Sequence, residues 1–186
     1  MNILKIEENL CGIDEAGRGP FAGPMVVAGV KLNKQIDELN DSKKLSEKKR
    51  EKLYDIIIQN SQYHIVFTSA KDIDKFGISK CIKNSILEII SNIKTSKYLM
   101  DGNTTFNIEN IKCEIKADTK VAEVAAASIL AKVSRDRYMV DIASKYPQYS
   151  FEKHKGYGTK LHTQAIKEYG LSPIHRKSFK IKALEN

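Results

Sequence analysis

Short apolar segments of strand length alternate along this chain with longer segments of helical periodicity, and this alternation limits the fold more than any other sequence feature. The segment from Pro24 to Leu32 is rich in β-branched residues and has the composition of a buried strand. Four more strands are predicted, at 10–13, 63–68, 98–100 and 111–115. Three strands come early and two late, which predicts an α/β domain around one mixed, five-stranded sheet.

Helices are predicted where apolar residues recur at helical spacing or where a capping residue opens the segment. They cover about 46–59, 79–93, 120–144 and 159–169. Ser46 and Thr159 are good N-caps, and Gly170 is well placed just beyond the end of the last helix. The 120–144 helix contains several alanines, which allow close packing against a sheet.

The length of 186 residues suits one domain. We expect a sheet core over about 9–145 and a basic, helical C-terminal region over about 146–186. The formal charge of +8 is unevenly distributed, because Lys153 to Lys182 contains eight Lys or Arg and only one acid, Glu168. A second basic cluster lies at 43–52. Such patches attract phosphate backbones, but a solvated lysine-rich surface explains the charge equally well.

Two classes of protein are disfavoured by composition. No apolar run approaches the ~20 residues that span a bilayer, so we expect a cytoplasmic protein without membrane contact. The three cysteines, Cys11, Cys81 and Cys113, are widely spaced among apolar residues and are expected to be buried thiols rather than disulfides or zinc ligands.

Acidic residues stand near the ends of predicted strands. Asp14 and Glu15 close the first strand, Asp101 closes the fourth, and Asp118 precedes the long helix. Each has an ordinary structural explanation: an exposed strand end, an Asp-Gly turn and a helix N-cap, respectively. Because adjacent strand residues face opposite sides of a sheet, Asp14 and Glu15 can share a site only where the strand stops and the backbone bends.

Taken together, these acids suggest a metal site. Clustered carboxylates repel one another unless a cation neutralises them, and Mg²⁺ accepts carboxylates together with water and phosphate oxygens. Two such ions about 4 Å apart support in-line displacement at phosphorus. An acidic centre with basic flanks is the arrangement that phosphodiester cleavage needs.

The residues around these acids resemble the motifs of one known family, the type 2 ribonucleases H (ribonuclease HII). The matching segments occur in the family's order between residues 11 and 179: GIDEAGRGP at 12–20, DSKKL at 41–45, DGN at 101–103, ASILAKVSRD at 127–136, HKGYGT at 154–159 and HRKSF at 175–179. Six ordered motifs make this resemblance highly specific.

The resemblance implies a ribonuclease H-like fold and a two-ion site for Mg²⁺ or Mn²⁺. Asp14 and Asp101 would be its central ligands, and Glu15 and Asp118 would complete it. It also implies hydrolysis of RNA in RNA–DNA hybrids and on the 5′ side of ribonucleotides embedded in duplex DNA. The products would carry 3′-hydroxyl and 5′-phosphate ends.

Substrate contacts are implied in the same way. Gly17, Arg18 and Gly19 resemble the loop that senses the 2′-hydroxyl, mainly through backbone groups, and glycine permits close approach to a sugar. Tyr157 matches the tyrosine that packs against the nucleotide after the ribose. The remaining substrate-binding residues, most of them expected to contact phosphates, are Ser42, Lys43, Lys44, Arg176 and Lys177.

Departures and alternatives are few. Ala117 stands where many bacterial members have glycine, whereas Arg18 follows type 2 rather than the lysine usual in type 3. The chain ends soon after the last motif and has no tail long enough for a clamp-binding peptide, so no sliding-clamp partner is expected. We also expect a monomer. The alternatives are a type 3 hybrid nuclease and a non-catalytic nucleic-acid-binding protein of the same fold.

Overall fold

A computed structural model of the chain describes residues 4–39 and 45–181. The contacts predicted for Ser42, Lys43 and Lys44 therefore lie outside the described residues. Five strands form one sheet: β1 (Leu10–Ala16), β2 (Met25–Leu32), β3 (Ser61–Thr68), β4 (Lys97–Asp101) and β5 (Lys112–Glu114). Their order is β3-β2-β1-β4-β5; the β3-β2 and β2-β1 pairs are antiparallel, and the β1-β4 and β4-β5 pairs are parallel. The predicted mixed sheet is confirmed.

The helices surround this sheet. They are α1 (Glu47–Gln59), α2 (Ala70–Phe76), α3 (Ile78–Asn92), α4 (Ala122–Ala143), α5 (Phe151–His154) and α6 (Lys160–Tyr169). Both predicted N-caps are confirmed, because Ser46 Oγ accepts from Lys49 N–H (3.3 Å) and Thr159 Oγ1 from His162 N–H (3.2 Å). The sequence pattern does not predict α2, which has only seven residues and is too short to show a clear period.

The sheet is covered by helices on both faces. Val26, Ala28 and Val30 of β2 pack in one core with α1 and α4. The alternate residues Met25 and Val27 pack in a second core with α3. Gly12 permits the close approach of α4 to β1, since a Cβ there would lie 2.3 Å from backbone atoms of the helix. The two cores hold the end of β1 in a fixed position.

Two predicted strand boundaries are wrong. β1 does not close at Asp14 and Glu15 but continues through Ala16, which is paired with Val26 of β2. β5 ends at Glu114, so Ile115 leaves the predicted alternation and is 63% exposed. The chain turns shortly after β5, and Lys116, two residues beyond the end of the strand, has a left-handed backbone.

The C-terminal region packs against the last turns of α4 and against the loop after β1. Tyr149, Phe151 and Ile166 share a core with Met139 of α4. Ala22 forms an isolated antiparallel bridge with His175, the first residue of the last family motif. In the described part of the chain, no helix is long and apolar enough to cross a membrane. The cysteines are free, with Cys11 and Cys81 buried and Cys113 partly buried.

Candidate active site

Three aspartate carboxylates meet at one edge of the sheet. Asp14 lies in β1, Asp101 ends the neighbouring parallel strand β4, and Asp118 lies in the 3-10 turn (Ala117–Thr119) before α4. One carboxylate oxygen from each of them lies within 4.8 Å of the others. This donor set and spacing suit a divalent cation.

The turn that carries Asp118 is tied directly to Asp101. The N–H of Ala117 donates to Asp101 Oδ1 at 2.8 Å. The left-handed residue of this turn is Lys116 (φ 59°), so Ala117 does not need the conformational freedom of a glycine. The N-cap of α4 is Val121, which means that the ordinary capping explanation for Asp118 does not apply.

Burial makes the charge on Asp14 costly. Desolvation, and next the nearby Glu15 carboxylate, raise the pKa of Asp14 from 3.8 to about 8, although hydrogen bonds from Ser128 and from the N–H of Glu15 oppose the change. Asp101 adds a smaller unfavourable interaction. A bound cation would remove this repulsion, so the residues present fit a metal site.

Glu15 lies beside the three aspartates but does not belong to their group. By strand alternation it faces the opposite side of β1 from Asp14. Both nevertheless line one cleft, because the pairing of β1 with β4 stops at Ile13 and leaves this edge open. Glu15 Oε1 lies 3.6 Å from Nη1 of Arg18, while Oε2 is buried with no hydrogen-bond partner among the described residues. The expectation that neighbouring acids need the strand to stop is therefore wrong, since the site surrounds a sheet edge.

The cleft above these carboxylates has a volume of about 480 Å³. It brings together most of the predicted site residues, and its lining is Asp14, Glu15, Ala16, Gly17, Arg18, Gly19, Arg50, Asp101, Ser128, Lys132 and Tyr157. Sequence reasoning did not single out Arg50, Ser128 or Lys132. The signals were present, since Arg50 belongs to the second basic cluster and Ser128 and Lys132 stand four residues apart in one family motif.

The Gly17-Arg18-Gly19 loop forms one wall of the cleft. Gly17 has a φ of +88°, and a Cβ there would lie 2.1 Å from Nε of Arg135. Gly19 is different, because a Cβ there would meet no atom within 4 Å. The space beside Gly19 is thus open to a ligand.

Tyr157 also lines the cleft. Its side chain is 42% exposed, and its ring centroid lies 5.8 Å from Lys132 Nζ and 5.4 Å from Arg135 Cζ. The backbone of Tyr157 is held at both ends, since its N–H donates to the carbonyl of His154 (2.9 Å) and its carbonyl accepts from Thr159 N–H (2.8 Å). An exposed ring on a fixed backbone is suited to packing against a flat or sugar-like surface.

The phosphate contact predicted for Arg176 is wrong. Its side chain is fully buried and donates to the carbonyls of Gly17 (2.6 Å), Arg18 (3.1 Å) and Gly23 (3.0 and 3.1 Å). Lys177 is exposed but lies outside the cleft, in a separate groove with Lys71 and Lys75. A phosphate contact for Lys177 therefore stays a prediction.

Three histidines form a buried cluster behind Tyr157. The rings of His154 and His162 are stacked at a centroid distance of 4.4 Å, and His162 Nε2 lies 3.0 Å from His175 Nε2. His162 Nδ1 lies 2.9 Å from the carbonyl oxygen of Tyr157. Within the described residues the candidate metal group consists of Asp14, Asp101 and Asp118.

Comparison with known proteins gives a consistent family. The sequence model of ribonuclease HII matches residues 11–182. Ribonuclease HII of Aliarcobacter butzleri (strain RM4018) is 66% identical over 179 residues, covering 95% of this chain and 93% of that protein. Ribonuclease HII of Campylobacter jejuni (strain RM1221) is 56% identical over 174 residues, covering 93% and 91%.

Solved structures agree with this assignment. Ribonuclease HII of Archaeoglobus fulgidus, solved in a complex with PCNA, superimposes with a TM-score of 0.80 at 29% identity and covers 92% of this chain and 95% of that one. A Bst-RNase HIII solved with Mn²⁺ gives a TM-score of 0.69 at 16% identity over 91% and 66% of the two chains, which shows the shared fold alone. The chain belongs to the ribonuclease HII family, whose members are metal-dependent ribonucleases H.

Proposed function

We propose that this ribonuclease H cuts the RNA strand of RNA–DNA hybrids and cuts on the 5′ side of single ribonucleotides embedded in duplex DNA. The observation that carries the proposal is the cleft itself, whose lining combines Asp14 and Asp101 of the acidic cluster with the Gly17–Gly19 loop and Tyr157. The loop offers backbone groups to a sugar, and Tyr157 offers an aromatic ring.

The acidic cluster would hold two divalent ions, Mg²⁺ or Mn²⁺. Asp14 and Asp101 are proposed as the central ligands, with Asp118 and Glu15 completing the site. Bound there, the ions would activate a water molecule and stabilise the leaving oxygen. The P–O3′ bond would break, leaving a 3′-hydroxyl and a 5′-phosphate.

The chain's own residues would bind and orient the strand. The Gly17–Gly19 loop would contact the ribose, and Tyr157 would pack against the sugar of the following nucleotide. Arg50 and Lys132 line the same cleft and supply positive charge for the phosphates. In this proposal the basic residues bind the phosphates of the substrate, and the acidic centre holds the metal ions.

Cleavage of a duplex with one ribonucleotide tests the proposal. We expect a single cut on the 5′ side of the ribonucleotide, a 3′-hydroxyl end, and no cut in the all-DNA duplex. Asp101→Asn should lower the rate at least ~10³-fold while it retains the hydrogen bond from Ala117, because asparagine keeps the accepting oxygen. The ends are mapped on a sequencing gel.

The two alternatives predict other results. A type 3 nuclease would cut a long hybrid but leave the single ribonucleotide largely intact, and a non-catalytic binder would cut neither substrate. Monomeric state and cytoplasmic location remain predictions.

A further inference from the structure

Arg176 is a fully buried cation whose hydrogen bonds all go to the main chain. Its Nη2 donates to the Gly17 carbonyl at 2.6 Å, and its Nη1 donates to the Arg18 carbonyl at 3.1 Å. Among the described residues, no carboxylate accepts a hydrogen bond from it. A charge is costly to bury in this way, so the contact needs an explanation beyond packing.

The two carbonyls belong to the peptide units that link Gly17 to Arg18 and Arg18 to Gly19. In a trans peptide the C=O and the N–H point in opposite directions. When Arg176 holds the two carbonyls, the N–H groups of Arg18 and Gly19 are directed away from the guanidinium. Neither N–H has an acceptor among the described residues.

The residues that carry these N–H groups, Arg18 and Gly19, both line the cleft together with Asp14 and Asp101. The side of Gly19 where a Cβ would stand is empty. A cation bound to a carbonyl also polarises the peptide and strengthens its N–H as a donor. The loop therefore presents two oriented, unpaired donors next to the carboxylates.

We propose that Arg176 is a positioning residue that orients the N–H groups of Arg18 and Gly19 as donors to the 2′-hydroxyl oxygen. This inference rests on the proposed function, because it concerns how the same cleft distinguishes ribose from deoxyribose. A deoxyribose offers no oxygen at this position, so both donors stay unpaired beside it. Sugar discrimination thus depends on a residue that does not touch the substrate.

The chain offers a matched control in Arg135, which is also fully buried. Arg135 donates to the carbonyls of Pro24 (2.9 Å), Ala22 (3.1 Å) and Lys155 (2.9 Å), and none of these belongs to the Gly17–Gly19 loop. Lysine at either position keeps the charge but loses the forked geometry. Arg176→Lys therefore releases the carbonyls of the Gly17–Gly19 loop, whereas Arg135→Lys releases carbonyls outside it.

The test measures binding in an inactive Asp101→Asn background, with Mg²⁺ present. Affinity is compared between a duplex with one ribonucleotide and the same duplex made entirely of DNA. We expect Arg176→Lys to lower the preference for the ribonucleotide at least tenfold, with little change in affinity for the DNA duplex. We expect Arg135→Lys to lower the preference by less, because the carbonyls that it releases lie outside the Gly17–Gly19 loop, and an equal fall in both variants would contradict the specific role of Arg176. A folded Arg176→Lys protein with an unchanged preference, or with equal losses on both duplexes, would overturn the proposal.

A second measurement needs no change at Arg176 and covers the case in which that variant fails to fold. In the Asp101→Asn protein, the amide resonances of Arg18 and Gly19 should shift downfield with the ribonucleotide duplex and not with the DNA duplex. Identical shifts with both duplexes would contradict the inference. If the Asp101→Asn parent itself shows no preference for ribonucleotides, the proposed function fails instead.

Discussion

Gly17 and Gly19 flank Arg18 in one loop, yet they lack a side chain for different reasons. Gly17 has a left-handed backbone, and a Cβ there would lie 2.1 Å from Nε of Arg135, so alanine meets both strain and a clash. Gly19 has an ordinary backbone conformation and open space where a Cβ would stand. One glycine is required by the fold, and the other leaves room for a ligand.

The paired variants Gly17→Ala and Gly19→Ala separate these roles. Gly17→Ala should lower the free energy of unfolding by about 1–3 kcal/mol, because both strain and overpacking are destabilising. Gly19→Ala should change stability by less than about 0.5 kcal/mol but reduce cleavage of a single ribonucleotide at least ~10-fold, since the methyl group occupies the sugar's space. Urea unfolding and single-turnover cleavage measure the two effects. Full activity in Gly19→Ala would show that the open space is not used by the substrate.

One face of helix α4 contributes side chains to the cleft and to its supports. Ser128, Lys132 and Arg135 stand on successive turns of this face. Ser128 and Lys132 line the cleft, while Arg135 supports the loop after β1 and lies beside the Tyr157 ring. Because α4 is packed against the sheet, the face is held rigidly relative to Asp14.

The C-terminal elements are joined by a chain of neutral histidines. Ser172 N–H donates to His175 Nδ1, which places the proton of His175 on Nε2. That proton is donated to His162 Nε2, and the Nδ1–H of His162 is left to donate to the carbonyl of Tyr157. The His162 and His175 rings therefore each have one tautomer, and a second proton on either ring would remove one of these hydrogen bonds.

These hydrogen-bonded histidines predict how the stability of the protein depends on pH. Burial lowers the pKa of His162 to about 4, from an ordinary value of 6.5, so the folded state keeps it neutral while the unfolded state takes up a proton. Its contribution to stability is present above pH 6.5 and is lost as the pH falls towards 4. Asp14 and Glu123 act in the opposite direction over much of this range, because their pKa values are raised to about 8 and about 7.

Comparing the stability of wild type with that of His162→Asn cancels the contributions of Asp14 and Glu123, because both proteins contain these residues. Asparagine keeps a donor for the Tyr157 carbonyl but does not titrate. The stability difference between wild type and variant should shrink by up to about 1.4 kcal/mol for each pH unit below the ordinary histidine value. Urea unfolding at several pH values measures it. A difference that is independent of pH would mean that His162 does not titrate as described.

At the scale of the whole molecule, a chain with a net charge of +8 carries a compact acidic centre. The pKa of Asp14 is raised above its value in an unfolded chain, so ionising it costs stability as the pH rises through about 8. The protein without metal should therefore be less stable above this pH than the same protein with a divalent cation bound.

Thermal unfolding at about pH 9 tests this coupling. Mg²⁺ at tenfold above its Kd should add about 1.4 kcal/mol and raise the Tm by about 3–6 °C relative to chelator. Asp14→Asn should lose this response yet unfold at a higher temperature than wild type in chelator, because the buried charge is gone. Asp141→Asn, at an exposed position of α4, is the matched control and should respond like wild type. An equal response in Asp14→Asn would place the cation elsewhere.

Local signals were sufficient for much of the fold and for the identity of the site. The caps at Ser46 and Thr159, the buried composition of β2 and the small residues of α4 each act within a few residues of chain. The order of the motifs identified Asp14, Asp101 and Asp118. These residues stand at strand ends and in a turn, which are local features, and the topology of the sheet brings them to one edge. The short helix α2 was missed, since so few residues show no clear period.

By itself, therefore, the sequence determined the kind of fold and the family, with the carboxylates that go with them. Only the tertiary structure decided that Arg176 supports the loop instead of binding phosphate, since its partner Gly17 is 159 positions away. The histidine chain and the placement of Glu15 on the other face of β1 were decided in the same way. Burial and pairing between distant residues set a side chain's role, and no local pattern records which distant backbone a charged group will meet.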